Sequence, residues 1–166
     1  MAVHRRVLVA AHYLPFSSAS TTSEAGPSEK LLEKRRDHAS LFSGVESLSQ
    51  VEQHYFGVLT PQSRGKTPLK GLSPALEEAL RQKRCTPVAI SDTCHAAFYE
   101  GYCKQVLWPI MHYITWDTYL DRQKEAFYWD NYVALNKAFA DALCDAYQPD
   151  DLSPLFFFLL VTAACR

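Results

Sequence analysis

Apolar and polar positions along the chain fall into segments of strand and helix length. Val7–Ala11 is a continuous apolar run that ends at Leu14-Pro15, which is typical of a strand covered on both faces. Thr86–Ser91 predicts a short buried strand, and Leu155–Val161 predicts another. All three runs are much shorter than the roughly 18 apolar residues that a membrane span requires.

Two helices have clear signals. Ser73 suits a helix N-cap and Pro74 the first helical position, and the helix predicted over 73–84 carries acidic residues first and basic residues last. A second helix is predicted over 125–147, because apolar residues recur there at helical spacing. Its stripe consists of Trp129, Tyr132, Val133, Asn136, Phe139, Ala140, Leu143 and Tyr147.

The remaining segments are predicted to connect the strands and helices. Residues 17–30 contain no aromatic or β-branched aliphatic residue, and residues 60–72 hold two Thr-Pro dipeptides, so we expect flexible insertions at both places. Residues 31–37 are charged and are expected to be exposed, with at most a turn or two of helix. The order strand, helix, strand, helix, helix, strand predicts an α/β domain with a mostly parallel sheet.

Composition excludes several classes of function. The 166 residues carry a formal net charge of −1, which argues against binding a nucleic-acid backbone by bulk electrostatics. The five cysteines form no C-x-x-C pair, so we expect buried thiols in a reducing compartment. The N-terminal apolar run is too short for a signal peptide. We therefore expect a cytoplasmic protein with no nucleic-acid or membrane partner.

Common catalytic motifs are missing from the sequence. It contains no P-loop, no G-x-G-x-x-G and no Asp-x-Asp phosphatase signature. His12 and His112 have no carboxylate at a fixed short spacing, which favours ordinary packing for both. We assign no catalytic residue, no cofactor and no metal ligand.

One stretch, Tyr99–Tyr113, combines four large aromatics with a Lys, a Gln, a Cys and a His. It has a structural interpretation, a helix over about 94–107 that Pro109 stops. The core positions of that helix would be Phe98, Tyr102 and Val106. It also has a functional interpretation, because aromatic faces with fixed polar groups such as Lys104 and Gln105 are typical of sugar sites.

The same stretch resembles a known family. Its run Tyr-x-x-Tyr-Cys-Lys-Gln-x-Leu-Trp-Pro-x-x-His-Tyr is followed by Tyr132-Val-Ala-Leu-Asn-Lys-Ala-Phe-Ala-Asp141. Together these resemble the N-terminal half of the trehalose-6-phosphate synthase family. The Tyr-Cys-Lys-Gln form is more similar to the fused synthase/phosphatase and regulatory chains than to the catalytic synthase. The resemblance covers residues 70–152 well.

The resemblance implies a fold and a site. The fold would be the Rossmann-like N-terminal domain of a two-domain GT-B glycosyltransferase, which joins the glucosyl group of UDP-glucose to glucose 6-phosphate. Residues 1–166 would form part of that domain, truncated before the second, donor-binding domain. In the family, the residues matching Tyr99 and Trp108 line the acceptor pocket, so the resemblance implies substrate binding at these two positions.

Three departures from the family pattern bear on activity. Tyr13 stands where synthases have an arginine that helps to hold phosphate, and no Gly-Gly loop is visible in residues 17–30. The family's His-Asp-Tyr-His does not follow Asp151-Leu152. We therefore expect a protein of trehalose biosynthesis that is inactive alone. The alternatives are a non-catalytic subunit that docks on intact trehalose synthase/phosphatase chains, or the product of a gene fragment.

Overall fold

A small parallel sheet forms the centre of the computed structural model, which describes residues 6–19, 31–36, 39–60, 72–114 and 121–152. The strands pair in parallel in the order β1-β4-β5, and β2 and β3 form a separate antiparallel pair. This confirms the predicted α/β class. In chain order the elements are β1 (Arg6–Tyr13), β2 (Phe16–Ser18), β3 (Leu32–Lys34), α1 (Ala39–Glu46), β4 (Glu52–Val58), α2 (Pro74–Gln82), β5 (Cys85–Pro87), α3 (Asp92–Ala96), a π-helix (Ala97–Leu107), α4 (Trp108–Met111) and α5 (Arg122–Ala146).

Strand β1 is buried on both faces, as its continuous apolar run predicts. Leu8 and Ala10 pack in one cluster with residues of the π-helix and α5. Val7 and Val9 pack in a second cluster that includes residues of α1 and α2. The sheet is therefore covered by helices on both sides, which is why β1 shows no polar alternation.

The far edge of β1 pairs with the chain where it returns after α5. Leu152 bridges Val7 in the parallel sense, through backbone bonds from Leu8 N to Leu152 O (2.7 Å) and from Leu152 N to Arg6 O (2.9 Å). The Arg6 guanidinium donates two bonds to the Asp151 carboxylate, of 2.9 and 2.6 Å. These contacts fix the end of α5 beside the start of β1. The strand predicted over 155–161 lies outside the described residues.

Strand β1 contains a bulge near its carboxyl end. Ala10 pairs with Phe56 and Tyr13 pairs with Val58, so three steps along β1 match two along β4. The extra residue turns the side chains of both His12 and Tyr13 toward α3 and the π-helix. At Gly57 a Cβ atom would lie 2.7 Å from Leu14 N and 2.8 Å from Ala11 O, so glycine is required where β4 passes the bulge.

Both predicted helices are confirmed. Ser73 caps α2 by accepting a 3.3 Å bond from Leu76 N, and Pro74 is its first residue. The buried face of α5 is narrower than the predicted stripe, since Trp129, Val133 and Tyr147 are 43–55% exposed. Its buried residues are Tyr132, Leu135, Asn136, Phe139 and Leu143.

The charged segment 31–37 is not helical at its start. Leu32–Lys34 forms β3, which pairs with β2 so that Ser17 and Ser18 are strand residues rather than the start of an insertion. Backbone hydrogen bonds make this pairing possible despite the polar side chains. Thr60 is buried at 2% exposure, so it does not belong to an exposed insertion either. Residues 20–30 and 61–71 of the two predicted insertions lie outside the described residues.

Strand β5 is shorter than the strand predicted over 86–91. It ends at Pro87, after which Val88 is buried and Ser91 caps α3. The N–H of Val88 still donates to the Gly57 carbonyl at 2.9 Å, so one backbone bond to β4 follows Pro87. Within the described residues no helix combines the length and the apolar character that crossing a membrane requires.

The bulge generates a first prediction. In Gly57→Ala the new methyl group meets backbone atoms that cannot move without shifting β1, so the free energy of unfolding should fall by about 1–3 kcal/mol. Gly44→Ala is the matched control, because Gly44 lies in α1 and its Cβ would meet nothing within 4 Å. It should gain about 0.5–1 kcal/mol from helix propensity. Urea unfolding measures both, and an unchanged midpoint for Gly57→Ala would contradict the account.

The Arg6–Asp151 pair generates a second prediction. The hydrogen bonds from Arg6 hold the pKa of the Asp151 carboxyl below its usual range, so the pair stabilises the fold above about pH 4 and that contribution is lost as pH falls through the lowered value. Asp151→Asn should cost about 2 kcal/mol at pH 7 and progressively less on acidification.

The control for this prediction is Asp141→Asn. Its ion pair with Lys137 is exposed on α5, so the substitution should change stability by less than about 0.5 kcal/mol. Urea unfolding at pH 7 and at pH 3 measures both variants. Equal costs for Asp151→Asn at the two pH values would show that the carboxylate charge does not stabilise the fold.

Candidate functional site

Five rings meet at the carboxyl end of β1, and we call this group the ring cluster. It consists of His12 and Tyr13 from β1, His95 from α3, and Phe98 and Tyr99 from the π-helix. The carboxyl ends of parallel strands are where α/β domains bind ligands. The cluster therefore lies at the edge of the sheet where a site is expected.

His12 has the central position in the cluster. Its ring lies nearly parallel to the rings of Tyr99, with centroids 4.7 Å apart, and Phe98, with centroids 5.2 Å apart. The Tyr13 ring meets it in an edge-to-face arrangement, with centroids 4.2 Å apart. The Nε2 atoms of His12 and His95 are 3.1 Å apart, which is hydrogen-bond distance.

A cation also contacts the Tyr13 ring. The Cζ atom of Arg35 is 4.4 Å from the centre of the Tyr13 ring, and its Nη2 donates to the hydroxyl of Thr60. The backbone N–H of Arg35 donates to the carbonyl of Pro15 at 2.8 Å, which fixes this residue at the base of the β2–β3 pair. Tyr13 has no charge of its own to pair with a phosphate. The structure brings the guanidinium of Arg35 to its ring, from 22 positions further along the chain.

The stretch Tyr99–Tyr113 lies in a continuous helical segment. Asp92–Ala96 is α-helical, Ala97–Leu107 is π-helical and Trp108–Met111 returns to the α form. The prediction that Pro109 stops the helix is wrong. The proline lies where the π form changes to the α form, and the helical segment ends at Met111.

Gly101 sets the distance between the π-helix and α5. A Cβ at this position would lie 2.6 Å from the ring of Tyr128 on α5. Phe98 and Val106 are buried core residues, as the structural interpretation predicts, whereas Tyr102 is only partly buried. The buried core residues anchor the segment, and Tyr99 is left partly exposed in the ring cluster.

The polar side chains next to Tyr99 mostly bind their own helix. Lys104 forms a 2.8 Å ion pair with Glu100, and its Nζ lies 4.8 Å from the centre of the Tyr99 ring. Gln105 donates to the carbonyl of Glu100 at 2.8 Å. Lys104 is thus held beside the ring cluster, while Gln105 serves the helix backbone.

Trp108 lies further along the segment. Its ring stacks on His112 at 3.6 Å between centroids and is 46% exposed. The ring contacts of the described residues place Tyr99 in the ring cluster and Trp108 beside His112. The acceptor pocket predicted from both residues stays a prediction.

Other reactive groups are poor candidates for chemistry. Burial raises the pKa of the Cys85 and Cys103 thiols to about 12, so neither supplies a thiolate at neutral pH. Burial also lowers the pKa of His54, which bonds to Thr86 at 2.8 Å. Among the described residues no three or more His, Cys, Asp or Glu side chains are placed to hold a metal ion.

Sequence reasoning missed Arg35 and His95. Both reach the cluster through tertiary contacts, and neither has a local motif that would single it out. The sequence favours packing over general-base chemistry for His12, and the residue does pack, against the other imidazole of the ring cluster. The pattern of apolar residues in β1 gives no indication of the extra residue that forms the bulge.

Comparison with known proteins identifies a family and several proteins that the chain resembles in sequence. It matches the model of glycosyltransferase family 20 over residues 5–154. It is 37% identical over 90 residues to the putative alpha,alpha-trehalose-phosphate synthase (UDP-forming) 106 kDa subunit of Schizosaccharomyces pombe, covering 51% of this chain and 10% of that one. It is 40% identical over 65 residues to the trehalose synthase complex regulatory subunit TSL1 of Saccharomyces cerevisiae, covering 39% of this chain and 6% of that one.

A solved structure shares the fold. The N-terminal domain of trehalose-6-phosphate phosphatase from Candida albicans superposes with a TM-score of 0.62 at 21% identity, covering 93% of this chain and 30% of that one. The predicted fold, part of a Rossmann-like N-terminal domain of GT-B type, is confirmed. The chain spans about a tenth of the length of the first curated relative.

Proposed function

Because the chain belongs to glycosyltransferase family 20, we propose that it serves trehalose biosynthesis in the cytoplasm and that the ring cluster is part of a site for glucose 6-phosphate. The relatives named above carry trehalose-phosphate synthase and regulatory-subunit names. The proposal concerns binding of the acceptor sugar phosphate and assigns no catalytic residue.

The position of Arg35 is the observation that carries this proposal. Tyr13 has no charge with which to pair a phosphate, but the Arg35 guanidinium lies over its ring at 4.4 Å. A guanidinium presents several N–H donors in a plane that fits phosphate oxygens. Arg35 thus gives the end of β1 a phosphate-binding group that the residue at position 13 does not.

Tyr99 is suited to the sugar half of the same ligand. Aromatic rings bind sugars through the apolar C–H face, while neighbouring donors orient the hydroxyls. Tyr99 is partly exposed beside His12, and Lys104 is a donor next to its ring. Trp108 is 46% exposed, and it is the second residue for which the family resemblance implies contact with the sugar.

Calorimetric titration with glucose 6-phosphate tests the proposal. We expect saturable binding with a Kd between about 1 μM and 1 mM. Arg35→Met should weaken it about ten- to a hundredfold, because a charge-assisted contact to phosphate is lost. Tyr99→Ala should weaken glucose 6-phosphate about three- to tenfold and leave inorganic phosphate unchanged, because only the sugar contacts the ring.

The matched control is Arg36→Met, which removes the adjacent, exposed cation. It should change the Kd less than about twofold, since a single exposed charge is strongly screened. Equal losses of affinity for Arg35→Met and Arg36→Met would show that the loss comes from the change in net charge and not from a specific contact of Arg35 with phosphate. A wild-type chain that binds neither glucose 6-phosphate nor phosphate would overturn the proposal.

A second candidate function is that of a non-catalytic subunit that docks on trehalose synthase/phosphatase chains. An exposed apolar surface at the end of the helical segment favours it. The side chains of this surface are 46–97% exposed, and we call it the α4 surface: Trp108, Ile110, Met111, Tyr113 and Ile114. An exposed apolar patch of this kind marks many protein interfaces.

Capture experiments test this second candidate. The tagged chain should retain the 106 kDa Schizosaccharomyces pombe subunit, and Met111→Asp should reduce the retained amount at least about tenfold, because a charge in an apolar contact is costly. Leu48→Asp is the control, since Leu48 is 47% exposed outside the α4 surface. Equal retention by both variants, or none by the wild type, would contradict docking through the α4 surface.

A further inference from the structure

The π-helix is unusually long. It covers the 11 residues Ala97–Leu107, whereas most π-helices are single turns inserted in α-helices and are frequent at functional sites. A π-helix has about 4.4 residues per turn and rotates about 82° per residue, against about 100° in an α-helix. At its end the N–H of Trp108 donates to the carbonyl of Cys103, five residues earlier. The winding therefore decides which side chains share a face.

Side-chain burial follows the π winding. At about 82° per residue, the buried residues lie along one side of the helix and the exposed residues along the other. At about 100° per residue, buried Ala97 and Gly101 would fall among the exposed residues instead. The buried residues are Ala97, Phe98, Gly101, Cys103 and Val106, and the exposed residues up to the start of α4 are Glu100, Lys104, Gln105 and Trp108.

Contacts with α5 hold the buried side of the π-helix. The rings of Phe98 and Tyr102 both pack on the Tyr132 ring, with centroids 5.6 and 4.8 Å away. At Gly101 the Tyr128 ring lies so near the helix backbone that a Cβ would come within 2.6 Å of it. A side chain at position 101 would therefore push the π-helix away from α5 or rotate it.

The winding also determines where Trp108 lies relative to Tyr99. Nine steps of about 82° bring it to within about 20° of Tyr99 around the axis, whereas nine α-helical steps would turn it about 180° away. Lys104, five residues after Tyr99, agrees with this phase, because its Nζ lies 4.8 Å from the centre of the Tyr99 ring. In an uninterrupted α-helix Ile110 would take the place of Trp108, since eleven steps of about 100° complete about three turns.

We propose that the π winding, held by the contact of Gly101 with Tyr128, positions Trp108 on the same side as Tyr99, so that one sugar phosphate contacts both rings. Gly101 and Tyr128 are positioning residues, because they act through the helix and not on the ligand. This inference rests on the proposed function, since it assumes that glucose 6-phosphate binds at Tyr99.

The first test compares two residues of α4 by calorimetric titration of the full chain with glucose 6-phosphate. Trp108→Ala should raise the Kd about three- to tenfold, because a ring that covers the sugar is lost. Ile110→Ala should change it less than about twofold, since the observed winding turns Ile110 away from Tyr99. The two side chains are matched in exposure, at 46% and 56%, and Ile110 is not part of the proposed sugar site.

The second test concerns the positioning residues. Gly101→Ala should raise the Kd for glucose 6-phosphate at least about threefold, because the rings no longer share one side. It should leave binding of inorganic phosphate unchanged, because Arg35 is not on this helix, whereas general loss of structure would weaken both ligands. Adding Tyr128→Ala makes room for the new methyl group and should restore the Kd for glucose 6-phosphate to within about twofold of the wild type.

The outcomes separate the inference from the proposed function. Absence of glucose 6-phosphate binding in the wild type would overturn both. Wild-type binding with equal effects of Trp108→Ala and Ile110→Ala, or a Gly101→Ala chain with wild-type affinity, would overturn the inference and leave the sugar-phosphate site intact. If Gly101→Ala fails to fold, the comparison of Trp108→Ala with Ile110→Ala still decides.

Discussion

The bulge near the end of β1 is the feature on which the candidate site depends. A regular strand would turn His12 and Tyr13 to opposite faces of the sheet, because side chains alternate along a strand. With one extra residue before Tyr13, both rings face the helical segment. Gly57 permits this because β4 crosses the bulge at a distance that no Cβ atom would tolerate. A backbone irregularity in one strand thus assembles side chains from three elements.

Much of the fold follows from local signals in the sequence. The continuous apolar run of β1 correctly predicts a strand covered by helices on both faces. Ser73 and Pro74 predict the start of α2 because capping is decided within one turn. The helical spacing of apolar residues predicts α5. These residues extend over a wider arc of the helix than the arc that packs against the sheet and the π-helix. Trp129 and Val133 are therefore helical but exposed.

Other features depend on distant contacts and carry no local signal. Arg35 looks like one charge in a polar run, yet it reaches Tyr13 because β3 pairs with β2. His95 is an isolated histidine in the sequence and becomes part of a pair only when α3 packs against β1. A proline often ends a helix, but Pro109 lies where the π-helix changes to α4, and the helical segment continues to Met111. The motif around Tyr99 pointed to the correct family, and the tertiary contacts indicate which groups surround that ring.

The central claim is that the carboxyl end of β1 receives a sugar phosphate between Arg35 and Tyr99. A crystal structure of the chain soaked with glucose 6-phosphate tests it most directly. The account predicts phosphate density within hydrogen-bond distance of the Arg35 guanidinium, with the sugar ring against Tyr99. Phosphate bound elsewhere, with Arg35 still on Tyr13 and the ring cluster empty, would contradict it.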